Sequence, residues 1–162
     1  GNESDALAPR AVAAAHRRAA SLEDQLAKLG PRFVAMWQRA WANLETGDPT
    51  AVRDVAHSAR ELLRQVLKTL APDDCFTGGQ KITREMRVNY IIGARSDSGR
   101  EWARAVAKGL SMTYDLLSGD AHSERDDPRF GYHGMVGLLE ALGGFLRFLL
   151  DFTQPHVFDD QP

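Results

Sequence analysis

The chain has 162 residues, of which 43% are hydrophobic and 26% charged, a composition typical of one soluble globular domain. Its formal net charge of -2 gives no overall attraction to nucleic acid or to a membrane, so an anion-binding surface would have to be local. The one cysteine, Cys75, excludes an intramolecular disulfide and a cysteine-rich metal site, and it favours a cytoplasmic location.

In the first half of the chain, apolar residues repeat at the spacing of an α-helix. Residues 6–29 are rich in Ala, Leu, Arg and Glu and predict a first helix. The dipeptide "GP" ends it and opens a second helix, whose apolar stripe includes Trp37 and Trp41. After the turn "TGDP", Asp48 is expected to cap a third helix. That helix has the cleanest amphipathic pattern in the sequence, from Val52 to Leu70.

The second half predicts three more helices. The loop "APDDCFTGGQ" leads to a fourth helix capped by Thr83, although "RVNYIIGA" within it leans toward β structure. After a turn at "RSDSG", a fifth helix is predicted from Glu101 to Ser118 with Trp102 on its inward face. A last helix is predicted from about Gly134 to Phe152, and residues 153–162 are expected to form a loose tail.

These elements predict an all-α bundle of about six helices with short connections, in a single domain covering residues 1–162. Glu140, Arg147 and Asp151 interrupt the apolar last helix, which therefore predicts a core helix and no membrane association. Because residues 134–152 are apolar nearly all round, the helix is expected either to be central or to be covered by a homodimer or partner protein. A chain that begins with glycine is interpreted as a segment of a longer protein.

The stretch "YDLLSGDAHSERDDPRFGYHG" is the strongest candidate for a catalytic site. Imidazole can move a proton near neutral pH, and guanidinium can stabilise charge on a phosphate without a metal. These properties suit phosphodiester cleavage by His122, Arg125, Arg129 and His133. The alternative is a polar corner in which Asp120 and His122 cap helix ends.

The same loop also contains residue types that bind metals. Glu124, Asp126 and Asp127 lie between the two histidines. Their spacing matches no zinc motif such as His-Glu-x-x-His, and the carboxylates are crowded together along the chain. The sequence therefore predicts no metal site and no cofactor.

A basic stretch runs from Lys81 to Lys108, with seven positive and three negative residues in a chain that is acidic overall. Such a local excess predicts a phosphate-binding surface. Its candidate nucleic-acid-binding residues are Arg84, Arg87, Arg95, Arg100, Arg104 and Lys108. The alternative is an ordinary charged helix face with pairs such as Glu101 and Arg104.

The phrase "YDLLSGDAH", followed by a polar loop and an apolar helix, resembles the closing part of HEPN domains. The resemblance implies a small helical bundle, often dimeric, from a bacterial toxin–antitoxin or antiviral system. Active members are metal-independent RNases with an Arg-x(4–6)-His motif. Here three residues separate Arg129 from His133, and seven separate Arg125 from His133. This departure favours a non-catalytic RNA-binding or assembly module.

Two longer stretches, "FVAMWQRAWANLETGDPTAVRDVAHSARELLRQVLKTLAPDD" and "KITREMRVNYI", are similar to the helical region of predicted nucleases associated with prokaryotic PIWI-type proteins. The two resemblances together imply an accessory or regulatory domain of a bacterial defence system. It would dimerise or dock through its last helix and bind RNA. The alternatives are a metal-independent endoribonuclease that uses the loop at residues 114–134, and a purely structural interaction domain.

Overall fold

A computed structural model describes residues 21–48, 50–93, 97–122, 132–151 and 153. Within these ranges the chain is helical and contains no strand, so the predicted all-α fold is confirmed. The α-helices are α1 Ser21–Leu29, α2 Pro31–Glu45, α3 Ala51–Leu70, α4 Arg84–Ile92, α5 Asp97–His122 and α6 Tyr132–Asp151. A short 3-10 helix, Asp73–Cys75, lies between α3 and α4. The start of the predicted first helix and the predicted tail after Thr153 lie outside the described residues.

Local sequence signals account for most of the helix ends. The Thr83 hydroxyl accepts a hydrogen bond from the backbone N–H of Met86 at 3.1 Å, which confirms Thr83 as the cap of α4. Gly93 ends that helix with a φ of 64°, a left-handed conformation that glycine adopts without steric cost. At α3 the N-cap residue is Thr50, not Asp48 as predicted. The Asp48 carboxylate instead accepts from the backbone N–H of Thr50 at 2.9 Å.

The predicted fourth helix is confirmed, and the predicted start of the fifth helix differs from the structure. The segment "RVNYI" is helical, because Val88 and Ile91 lie three residues apart on one buried face of α4 and outweigh the β preference of the residues. Helix α5 begins at Asp97, four residues before the predicted start, so "DSG" is part of the helix and not a turn. The negative charge of the Asp97 carboxylate is stabilised by the positive N-terminal end of the helix dipole. The same carboxylate accepts a hydrogen bond from Arg100 at 2.6 Å.

The core forms where α3 packs between α2 and α5. Helix α6 contacts α1, α3, α4 and α5 through one buried face, as expected of a core helix, and its opposite face is exposed. Trp37 and Trp41 of α2 are fully buried, with ring centroids 5.8 Å apart in an edge-to-face arrangement. The fully buried residues of α6 are Met135, Leu139, Leu142, Leu146 and Leu149.

By length and composition alone, one of the described helices is able to cross a membrane, namely His133–Asp151. The core helix of a soluble protein meets the same criterion, and one helix of this kind is weak evidence for a membrane span. In this structure the buried apolar face of the helix packs against the rest of the bundle.

The prediction that Trp102 faces inward is wrong. The side chain is 64% exposed and stacks on Phe148 of α6, with ring centroids 5.8 Å apart and an interplanar angle of 11°. The next residue, Ala103, is buried instead. One residue corresponds to about 100° of rotation around a helix, which is enough to take Trp102 out of the core.

Candidate nucleic-acid interface

A groove of about 690 Å³ lies where α3, α4 and α5 meet. Its walls carry seven lysine and arginine residues and a single carboxylate, Glu85. The cations are Arg64, Lys68, Lys81, Arg84, Arg87, Arg104 and Lys108. We call this surface the basic groove. An array of this kind suits a ligand with several negative charges, such as a phosphate backbone.

Helical spacing presents these cations on facing walls of the groove. On α3, Arg64 and Lys68 are four residues apart and share one face, and Arg104 and Lys108 repeat this arrangement on α5. Lys81 comes from the segment before α4, and the side chains of Lys68, Lys81 and Lys108 are exposed. Apolar residues contribute to the lining between the charges, namely Leu63, Leu67, Ile82 and Ala107.

The structure brings together some of the predicted nucleic-acid-binding residues but not all of them. Arg84, Arg104 and Lys108 line the basic groove as a set. Arg100 is not among the lining residues and bonds to Asp97 in the first turn of α5. Arg95 lies outside the described residues.

Arg87 has a structural position at the edge of the groove. It is only 8% exposed and donates hydrogen bonds to the carbonyl oxygen of Ala71 and to Asp73 Oδ1, the latter at 2.6 Å. The bond to Ala71 satisfies a carbonyl at the end of α3, where no further helical turn follows. The same guanidinium lowers the pKa of the Asp73 carboxyl. These contacts hold α4 against the end of α3, and they leave Arg87 poorly placed for a ligand.

Sequence reasoning missed the contribution of α3. In the sequence, Arg64 and Lys68 lie on the polar side of the third helix, outside the basic stretch that begins at Lys81. The available signal was their spacing of four residues, which places two cations on one face. That this face meets α4 and α5 depends on tertiary packing, which the spacing does not reveal.

One wall of the groove combines a cation with an aromatic ring. The guanidinium carbon of Arg84 lies 3.9 Å from the centre of the Tyr114 ring, and Arg84 Nη1 donates to Ser111 Oγ at 3.3 Å. The guanidinium carbon of Arg60 lies 5.9 Å from the same ring centre. Distances of this size are typical of cation–π contacts.

Two carboxylates lie beside cations of the groove. Glu85 accepts from Arg104 Nε at 3.4 Å, where both side chains are exposed, so the contact is weak. Glu61 is held by both Nε and Nη2 of Arg64 and also accepts from Gln65 at 3.0 Å. The hydrogen bond from Arg64, followed by the one from Gln65, lowers the pKa of Glu61 to about 2.

This shift predicts a pH dependence of stability. A carboxylate whose pKa is lower in the folded state stabilises the protein above its unfolded pKa of about 4.3, and this contribution is lost as the pH falls toward 2. In Glu61→Gln, we expect the melting temperature to fall less between pH 5 and 2 than in the wild type. The difference should be no more than about 4 °C, because the pair is partly solvated. Glu101→Gln, at an exposed position on α5, is the matched control, and equal acid profiles for wild type and Glu61→Gln would contradict the prediction.

The predicted catalytic residues lie largely beyond what the structure describes. His122 is the last residue of α5, but its side chain is outside the described part, as are Arg125 and Arg129. His133 is exposed in the first turn of α6. The catalytic role of these four residues therefore stays a prediction. Among the described side chains, no group of three or more His, Cys, Asp or Glu residues is placed to hold a metal ion.

Comparison with known protein families identifies a relationship. A family model described as "Predicted pPIWI-associating nuclease" matches residues 26–127. The matched region contains α2 to α5, and hence every residue that lines the basic groove. No curated protein and no solved structure matches the chain.

Proposed function

The chain belongs to the family of predicted pPIWI-associating nucleases, and on that premise we propose that it binds RNA through the basic groove. In this proposal it acts as a helical accessory or regulatory domain of a bacterial defence system. The observation that carries the proposal is the charge of the groove lining, in which Lys68, Lys81, Arg84, Arg104 and Lys108 face the single lining carboxylate, Glu85. The chain as a whole has a net charge of -2, so this positive charge is a local feature.

Three features of the lining favour a phosphate backbone over a small anion. The cations come from three separate elements, so they are spread along the groove. Lys68, Lys81 and Lys108 are exposed and therefore accessible to a ligand. The partly exposed side chain of Ile82 offers apolar contact area to a sugar or base, which a simple anion would leave unused.

We further propose docking to a second copy or to a partner protein, as the apolar last helix led us to expect. The buried face of α6 is occupied within the bundle. The large apolar side chains that are most exposed belong to α5, namely Trp102, Met112 and Leu116. A docking surface would therefore include α5 as well as the outer side of α6.

The test of RNA binding is a fluorescence-anisotropy titration of the wild-type protein with a short single-stranded RNA at several salt concentrations. If four phosphates are contacted, log K against log salt should have a slope of about -3, since each contact on a single strand contributes about 0.7. A peptide nucleic acid of the same base sequence has an uncharged backbone and is the matched ligand control. Binding that is absent at low salt, or equal for the two ligands, would contradict the proposed function.

A further inference from the structure

The contact between Arg84 and Tyr114 differs in kind from the other charges of the basic groove. A lysine ammonium is a flexible point charge, whereas a guanidinium is a plane that packs on flat groups. The guanidinium carbon of Arg84 is 3.9 Å from the Tyr114 ring centre, which is the spacing of a group lying on the ring. The bond to Ser111 Oγ at 3.3 Å fixes a second point of the side chain.

The packing around this pair keeps it in place. Tyr114 is partly buried and belongs to the inner side of α5, so its ring is anchored by the core. Arg84 is in the first turn of α4, directly after the Thr83 cap. Both residues line the groove, and both are partly and not fully buried. The stack therefore faces the same space as the exposed ammonium groups of Lys81 and Lys108.

Nucleic-acid bases stack on guanidinium planes as well as on aromatic rings, and such stacking does not depend strongly on sequence. In a double helix the bases are already stacked on each other, and only their edges and the phosphates are accessible. The volume of the groove, about 690 Å³, is in the range of pockets that enclose a ligand of small-molecule size. A space of this size accepts part of one strand, with a base able to enter between the walls.

We infer that the basic groove selects unpaired RNA and stacks one base on the outer face of the Arg84 guanidinium, which Tyr114 holds in position. Arg84 is the contacting residue and Tyr114 a positioning residue. The lysines neutralise the neighbouring phosphates. This inference deepens the proposed function and rests on it, because it requires that the groove binds RNA at all.

The experiment compares three ligands of equal length: oligouridylate, an abasic ribose-phosphate strand, and an RNA duplex. Wild-type protein is expected to bind oligouridylate about 5- to 150-fold more tightly than the abasic strand, which is the range for stacking of one base. It should also bind oligouridylate more tightly than the duplex. Affinities are measured by anisotropy at a fixed salt concentration and then as a function of salt.

Arg84→Lys is the decisive variant, because it keeps the charge and removes the plane. We expect it to lose most of the preference for oligouridylate over the abasic strand, while the salt slope stays that of the wild type. Tyr114→Leu should have the same effect, and Tyr114→Phe, which keeps the ring, should retain the preference. Melting temperatures of all variants establish that they are folded.

The possible failures are distinguishable. If wild type binds the abasic strand or the duplex as tightly as oligouridylate, the inference is overturned and RNA binding by charge remains. The same conclusion follows if Arg84→Lys keeps the full preference. If no strand binds at low salt, the proposed function fails and the inference falls with it.

Discussion

Replacing Lys68, Lys81 and Lys108 with glutamine is expected to weaken the binding of single-stranded RNA about 100-fold at 0.1 M salt. Each phosphate contact contributes about 0.7 to the slope of log K against log salt, so three lost contacts flatten the slope by about 2. The three side chains are exposed and belong to α3, to the segment before α4 and to α5. Their replacement therefore removes charge from all sides of the groove and leaves its core-facing residues in place.

A matched control changes the same charge elsewhere. Lys28, Arg39 and Arg147 are exposed on α1, α2 and α6 and do not line the basic groove. Lys28→Gln/Arg39→Gln/Arg147→Gln should bind RNA within about threefold of the wild type, since only a screened long-range attraction is lost. If both triple variants lose affinity equally, binding depends on total charge and the basic groove is not the site. Anisotropy titrations at matched salt concentrations measure both variants.

Replacing Trp37 with alanine is expected to lower the free energy of unfolding by about 3 to 5 kcal/mol, the usual range for removing a large buried aromatic side chain. Trp37 is fully buried and packs edge-to-face against Trp41. It also packs near Gly143 of α6, where a β-carbon would lie 3.2 Å from the indole ring. The variant thus opens a cavity between α2 and α6. For a protein of this size the melting temperature should fall by about 6 to 20 °C.

Trp102→Ala is the control, because it makes the same chemical change at an exposed position. It removes the stack on Phe148 but opens no enclosed cavity, so we expect a loss of at most about 1 kcal/mol. Thermal unfolding followed by circular dichroism gives both values. A Trp102→Ala variant that is destabilised as much as Trp37→Ala would contradict the placement of the two tryptophans.

Short-range signals in the sequence were sufficient for the helices themselves. Each of these signals involves residues within one or two turns of each other. Examples are Pro31 after Gly30 at the start of α2, the Thr83 cap of α4 and the apolar repeat of α3. Such signals place the elements along the chain without any knowledge of their neighbours. They were less reliable at α5, where an apparent turn is the first turn of the helix.

The start of α5 is where the tertiary structure departs from the sequence pattern. Trp102 and Ala103 are adjacent, and periodicity alone favours burying the larger side chain. The structure buries Ala103 and exposes Trp102, whereas the later apolar positions Val106, Leu110 and Leu117 are buried as the periodicity indicates. One residue corresponds to about 100° of rotation around the helix, so a single position at the helix start can change between core and surface.

Three properties of the protein could be predicted from its sequence: the all-helical fold, a last helix that contributes to the core, and a concentration of positive charge between Lys81 and Lys108. These properties follow from composition and from interactions between residues close in the chain. Which charges form a site depends on the packing of the helices. Helix packing places Arg64 and Lys68 of α3 in the groove lining. It also places Arg87 where it donates hydrogen bonds to Ala71 and Asp73 just beyond the end of α3. A binding surface depends on distances between elements, and those distances are set by core packing, which no local pattern encodes.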